Sequence, residues 1–413
     1  MPGYAGKCIY ACKKAKMNKV ILRPHREESI LRLHPWVFSG AIASIEGNPA
    51  EGELVEVLSS ELKPLAVGHY QIGSIAVRIL SFTEDPTQPD FWEKMLSRAL
   101  QLRKSFGLEG SANTNCYRLV HGEGDGLPGL IIDYYDGVCV FQAHSAGMFL
   151  VREAICEALK TVYGGALKAV YDKSSGTAPF KAGLPLADGY LYRRPGFDSD
   201  EAVVLENGNK FYVNWNEGQK TGFFLDQREN RLRVGNLANG RNVLNLFCYT
   251  GGFSIYALAG GALHVDSVDS SKLAMGMVDR NVALNAFDPS AHTSYTADAI
   301  DFLKSIPKGK YDLIIVDPPA FAKHRGALKN ALRAYQRLNE AAISKVAPGG
   351  FVFTFSCSQV VDKEAFALAV FSAAAATGRS VRILDRLNQP ADHAVNIYHP
   401  EGEYLKGLLL YVE

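Results

Sequence analysis

The chain has 413 residues, of which 47% are hydrophobic and 21% charged, with a net charge of +1. That length predicts two or three domains, and the composition excludes a disordered or fibrous chain. Seven scattered cysteines without a Cys-x-x-Cys pair exclude a disulfide framework and a zinc site, and predict a reducing, cytoplasmic setting.

The first 35 residues hold eight Lys/Arg (Lys7, Lys13, Lys14, Lys16, Lys19, Arg23, Arg26, Arg32) against Glu27 and Glu28. The excess suits a polyanion partner, or a solvated basic tail. The flanked apolar stretch there is too short for a signal-peptide core.

From about 19 to 90, short strands such as GELVEVLSS and IAVRILSF predict a small β-barrel. From 91 to 200, an amphipathic helix over Phe91–Phe106 opens a second, α+β unit. Two strands follow around a glycine-rich turn (YRLVHGEGDGLPGLIIDYYDG), then a helical stretch near Met148–Tyr163 and a strand near Ala169–Tyr171.

From 201 to 413, apolar strands alternate with helices, which predicts βαβ units and a parallel sheet covered on both faces. The uncharged run Val243–Val265 contains Asn245, Thr250, Ser254 and four glycines, so it reads as strand, loop and helix rather than a membrane span.

In such a sheet ligands bind beyond the carboxyl ends of the strands. The first strand runs into Phe247-Cys248-Tyr249-Thr250-Gly251-Gly252, a loop in which glycines let a nucleoside cofactor approach the backbone. The second ends at Asp269-Ser270, where a carboxylate can accept ribose hydroxyls, and the third ends near Asp298, placed for an adenine amino group. A Gly-x-Gly-x-x-Gly fingerprint is absent, which favours S-adenosylmethionine over a dinucleotide.

The fourth strand ends in VDPPAF, offering Asp317, the rigid Pro318-Pro319 pair and the ring of Phe321 to a planar base. The fifth ends in Ser356-Cys357-Ser358, which places a thiol at the same edge, where its surroundings are expected to favour the thiolate.

Taken with HPWVFSG, YRLVHGEGDGLPGLIIDYYDG and NEGQKTGFFLDQRENR, these segments resemble the class I adenosylmethionine-dependent methyltransferases of large-subunit ribosomal RNA that make 5-methylcytosine. The resemblance runs from about 19 to 413. It implies a PUA-like RNA-binding barrel, a central α+β domain and a Rossmann-like methyltransferase domain, acting on ribosomal RNA without a membrane. By position it implies Phe247, Tyr249, Gly251, Asp269 and Asp298 at the cofactor, Gln219, Thr221 and Arg228 lining the same cleft, Asp317 at the base and Cys357 as nucleophile. It also implies a homodimer.

Many broader 5-methylcytosine RNA methyltransferases carry a second cysteine where this chain has Pro319. Removal of the carbon 5 proton is therefore left to Asp317, Lys323 or water. Two further readings use the same residues: transfer to a base nitrogen, which needs no thiol, and a non-catalytic RNA-binding assembly factor.

Overall fold

A computed structural model describes residues 17–179, 183–322 and 324–413. Lys7, Lys13, Lys14 and Lys16 of the basic stretch, and Lys323, lie outside the described residues.

The first unit contains β1 (Asn18–Leu22), α1 (Glu28–Leu31), β2 (Trp36–Phe38), β3 (Ile42–Glu46), β4 (Leu54–Leu58), β5 (Pro64–Tyr70) and β6 (Ile75–Ser81). Its six strands run in the order β2-β6-β5-β4-β1-β3, all antiparallel pairs except β1 with β4. Alternation along them sends Val20, Leu22, Val55, Val57, Val77 and Ile79 into one small core. With β2 and β3 at its two edges, the sheet is a half-barrel.

The second unit contains α2 (Phe91–Ser105), β7 (Cys116–His121), β8 (Leu130–Tyr135), β9 (Val138–Ala143), α3 (Ala146–Leu150), α4 (Arg152–Tyr163), β10 (Ala169–Asp172) and β11 (Gly189–Arg193). The strands form one sheet in the order β11-β10-β9-β8-β7, and the α3–α4 crossover makes β9 and β10 parallel. A hairpin follows, β12 (Glu201–Glu206) and β13 (Asn209–Asn214), turning at Asn207-Gly208 with both φ angles positive.

The third unit comprises α5 (Arg228–Ala238), β14 (Asn242–Leu246), α6 (Gly252–Ala259), β15 (His264–Asp269), α7 (Lys272–Leu284), β16 (His292–Thr296), α8 (Ala299–Ser305), β17 (Leu313–Val316), α9 (Leu328–Lys345), β18 (Gly350–Ser356), α10 (Lys363–Thr377), β19 (Val381–Asn388) and β20 (Lys406–Val412). Its seven strands run β16-β15-β14-β17-β18-β20-β19, with β20 antiparallel to both neighbours. Successive side chains serve opposite cores: Val243, Leu313 and Ile315 face the α5–α7 side, while Leu244, Leu246, Ile314 and Val316 face α8, α9 and α10. The run Val243–Val265 is strand, loop and helix, as expected, and among the described residues no helix is long and apolar enough to cross a membrane.

The strand order reverses between β14 and β17, the position at which sheets of this kind bind ligands beyond the carboxyl ends. A buried ionic network ties the second unit to the third. Arg103 donates to the Asp392 carbonyl at 2.6 Å, and Arg118 clasps Asp133 through two hydrogen bonds of 2.8 and 2.9 Å. Buried pairs of this kind hold a fixed geometry because losing either partner strands a charge.

Candidate active site

The loop after β14 is a strained cradle. Phe247, Tyr249 and Gly251 have φ of 57°, 48° and 82°, and the left-handed region costs a non-glycine residue about 1–2 kcal/mol. Local bonds hold it: Cys248 N–H donates to Val268 O at 3.1 Å, Tyr249 N–H to Asp269 Oδ2 at 3.0 Å, and Gly251 N–H to Cys248 O at 2.8 Å. Buried Thr250 is anchored through its carbonyl, which accepts from Asn281 Nδ2 at 2.9 Å. At Gly251 the positive φ favours glycine, and a Cβ would lie a tight 3.0 Å from the Val278 side chain.

Asp269 closes the cradle at the end of β15. Its Oδ1 accepts from Ser271 N–H at 2.9 Å, which fixes the carboxylate, while Ser270 between them is exposed. Asp298 is exposed, and its Oδ1 caps α8 by accepting from Ile300 and Asp301 N–H at 2.9 and 3.0 Å.

The residues 216–231 divide between two jobs. Gln219 is exposed at the loop, its N–H donating to Tyr249 Oη at 2.8 Å, and that hydroxyl donates onward to Gly222 O at 3.2 Å. Thr221 and Arg228 are instead engaged in the ionic network. Thr221 is fully buried and donates to Asp133 Oδ2 at 2.6 Å. Arg228, 1% exposed, pairs with Asp392 Oδ1 at 2.6 Å. Thr221 thus binds an acid of the second unit, whereas Arg228 makes its pair within the third. The Arg228 Nε and Nη1 atoms are buried without a hydrogen-bond partner.

The other half of the candidate site lies at the ends of β17 and β18, which run side by side with Val316 opposite Thr354. Asp317 Oδ2 accepts from Gln227 Nε2 at 3.1 Å. Burial, and then the negative charge of Asp226, push the Asp317 carboxyl up to about 7. Pro318 is buried and Pro319 exposed at the lip, while the Phe321 ring packs 4.7 Å from Tyr335. The two proline-loop and cysteine-loop segments are joined, since Ala322 N–H donates to Ser358 Oγ at 3.3 Å.

Cys357 is the one described cysteine that is not buried. Its flanking serines are structural: Ser356 Oγ donates to Tyr335 Oη at 2.9 Å, and Ser358 Oγ lies 3.3 Å from the same hydroxyl. Burial first, then the charges of Asp317 and Asp226, push the Cys357 thiol up to about 11, against a smaller pull from Lys406. The expectation that the surroundings favour the thiolate is therefore reversed in the free protein, because burial, reinforced by two carboxylates, outweighs the pull of one ammonium. Lys406 donates to Ser358 O and Val361 O at 2.6 Å each, and burial brings its own pKa down to about 8.

Sequence reasoning missed Asp226. It sits in the turn Leu225–Gln227 before α5, and the charges of both Asp317 and Cys357 respond to it. Tyr404 Oη donates to Asp226 Oδ2 at 2.7 Å. An acid directly before Gln-Arg at a helix start reads as ordinary first-turn polarity, and only the long-range contact to residue 404 distinguishes it.

Residues 195–409 match the family described as S-adenosylmethionine-dependent methyltransferase, and residues 20–82 match the PUA-like domain. Proteins called Ribosomal RNA large subunit methyltransferase I are similar along nearly the whole chain. The one from Pseudoalteromonas atlantica is 41% identical over 95% of this chain and 98% of its own, and the one from Aeromonas salmonicida is 40% identical over 93% and 97%. The chain belongs to this methyltransferase family. A methyltransferase crystallised in complex with SAH superposes with a TM-score of 0.82 at 25% identity, covering 95% of this chain and 100% of that one.

The residues present fit S-adenosylmethionine, the methyl donor of the family. The first-turn amides of α6 have no side-chain cap, so they can donate to a bound ligand, and the fixed Asp269 carboxylate suits a ribose diol. Phe247, Tyr249, Thr250, Gly251, Gln219 and Asp269 are gathered at this end. Asp317 and Cys357 are gathered across from it.

Proposed function

We propose that this methyltransferase acts on large-subunit ribosomal RNA, the substrate class in the names of its relatives, and forms 5-methylcytosine through a covalent bond from Cys357 Sγ to carbon 6 of the base. The observation that carries the reading is the meeting of a half-buried thiol and a buried-side carboxyl of raised pKa at adjacent strand ends.

Carbon 5 of cytosine is a weak nucleophile until a group adds at carbon 6. Asp317, near 7, holds a proton at neutral pH for part of the time and can give it to ring nitrogen 3 as sulfur adds. While Asp317 is protonated it places no negative charge beside Cys357, so the form that can donate to nitrogen 3 is also the form that opposes the thiolate least. The thiol proton leaves to water; the Cys357 thiolate then supplies the electron pair of the new bond. Bound S-adenosylmethionine supplies an activated methyl group to carbon 5. Asp317 takes its proton back from nitrogen 3 as carbon 5 is methylated.

A paired cytosine hides these atoms in the stack, so the target is single-stranded or extruded at a cost of a few kcal/mol. The half-barrel, with Lys19 and exposed Arg23, Arg26 and Arg32, supplies charge for the surrounding phosphates.

The thiol near 11 favours a second reading, transfer to a base nitrogen, because that route needs Asp317 but no thiolate. Incubation with unmodified large-subunit RNA and labelled S-adenosylmethionine, followed by mass spectrometry of the nucleosides, separates the two. The covalent reading expects 5-methylcytidine from the native protein and none from Cys357→Ala; an N-methylated nucleoside, made equally by both, establishes the second.

A further inference from the structure

The proposed chemistry leaves one group unassigned: the acceptor for the carbon 5 proton, whose removal releases the enzyme. Asp317 is committed to nitrogen 3 in that chemistry, and Lys323 lies outside the described residues. Asp226 is the remaining described carboxylate to which both Asp317 and Cys357 respond.

Its setting is that of a positioned acceptor. One oxygen, Oδ2, is held by the Tyr404 hydroxyl at 2.7 Å, and the other, Oδ1, is sealed from solvent without any hydrogen-bond partner. Leaving a buried carboxylate oxygen unmatched costs about 1–3 kcal/mol or more, so a structural role alone is a poor reason for it. The turn that carries it is braced by its neighbour: Gln227 binds Asp317 at 3.1 Å through Nε2 and accepts from Asn230 Nδ2 at 2.6 Å through Oε1. The residue next to Asp226 in the chain thus holds Asp317, and the charge of Asp226 is felt at Asp317. Tyr404, just before β20, is a positioning residue for this carboxylate.

We infer that Asp226 is the catalytic base that takes the carbon 5 proton of the methylated adduct, an inference that rests on the covalent reading above. The carbon–hydrogen bond at carbon 5 breaks and its electron pair forms the carbon 5–carbon 6 double bond. The carbon 6–sulfur bond breaks, sulfur leaves with the electron pair of that bond as the Cys357 thiolate, and the proton resides on Asp226 until departure of the product admits water.

The test is Asp226→Asn, which keeps the shape and an acceptor for Tyr404 but lacks the basic oxygen. With unmodified RNA and methyl-labelled S-adenosylmethionine, this variant should accumulate a denaturant-resistant protein–RNA adduct carrying the label, with release slowed about 10²–10⁴-fold, the usual worth of a general base. The adduct should be absent from Asp226→Asn combined with Cys357→Ala. RNA tritiated at carbon 5 gives an independent readout: the single variant should transfer methyl in its first turnover while retaining tritium. Release of tritium in step with methyl transfer, or loss of methyl transfer with no adduct in a variant that still binds S-adenosylmethionine by calorimetry, overturns the assignment. If Asp226→Asn does not fold, Tyr404→Phe serves: it should lengthen adduct lifetime without weakening S-adenosylmethionine binding, and an unchanged lifetime overturns the inference. Failure of the covalent reading itself would look different, as a native enzyme that makes no 5-methylcytidine.

Discussion

On the cofactor side of the candidate site the work is done by backbone, and its parts are close together in sequence. Phe247, Tyr249 and Gly251 turn left-handed within five residues and are pinned by Val268 and Asp269 of the next strand. On the proposed substrate side the chemistry rests on side chains drawn from distant places, where the charge of Asp226 bears on Asp317 and Cys357, and Cys357 and Lys406 bear on each other. One side is therefore stiff and locally encoded. The other is an electrostatic balance that exists only after folding, and single substitutions should affect the two differently.

The largest separation should come from Asp317→Asn. Methyl transfer should fall about 10²–10³-fold, the scale for losing one stabilising group at a developing charge, while S-adenosylmethionine affinity by calorimetry stays within about threefold. The pH profile gives the sign. Thiolate rises with pH toward about 11 while protonated Asp317 falls above about 7, so kcat/KM should climb to near 7 and then level; in the variant the climb should continue past 7. The same raised carboxyl makes the folded chain bind more protons than the unfolded one between its ordinary 3.8 and about 7, so stability falls as pH rises through that window. Denaturant unfolding should show that fall, on the order of 2–4 kcal/mol, shrinking in Asp317→Asn.

Gly251→Ala should act on the other side. A methyl group at φ +82°, 3.0 Å from Val278, should lower stability by about 1 kcal/mol or more, and calorimetry should show S-adenosylmethionine binding weakened about tenfold. The smallest effect belongs to Asp298→Ala. Removing its cap on α8 should cost about 1 kcal/mol of unfolding free energy, with a change in S-adenosylmethionine affinity only as large as any direct contact adds.

The contrast also explains what could be read beforehand. Apolar runs such as Leu313–Val316 and the loop at Tyr249–Gly251 are local patterns, and the parallel sheet and cofactor cradle follow from them. The segment 216–231 was legible as belonging near the site but not in its facing. Thr221 and Arg228 turn to Asp133 and Asp392, partners 88 and 164 residues away, whereas Asp226 between them turns to Tyr404. The direction of the Cys357 shift was equally hidden, since it depends on two carboxylates from other segments.

The central claim is that the Cys357 sulfur and the Asp317 carboxyl act on one base. The most direct measurement offers native protein and Cys357→Ala an RNA carrying 5-fluorocytidine at the target position with S-adenosylmethionine, then maps any cross-linked peptide by mass spectrometry. The account predicts a stable, methylated adduct on the peptide containing Cys357 in the native protein and none in the variant, because fluorine blocks the final elimination. No adduct with the native protein, while unmodified RNA is methylated at full rate by both, would contradict it.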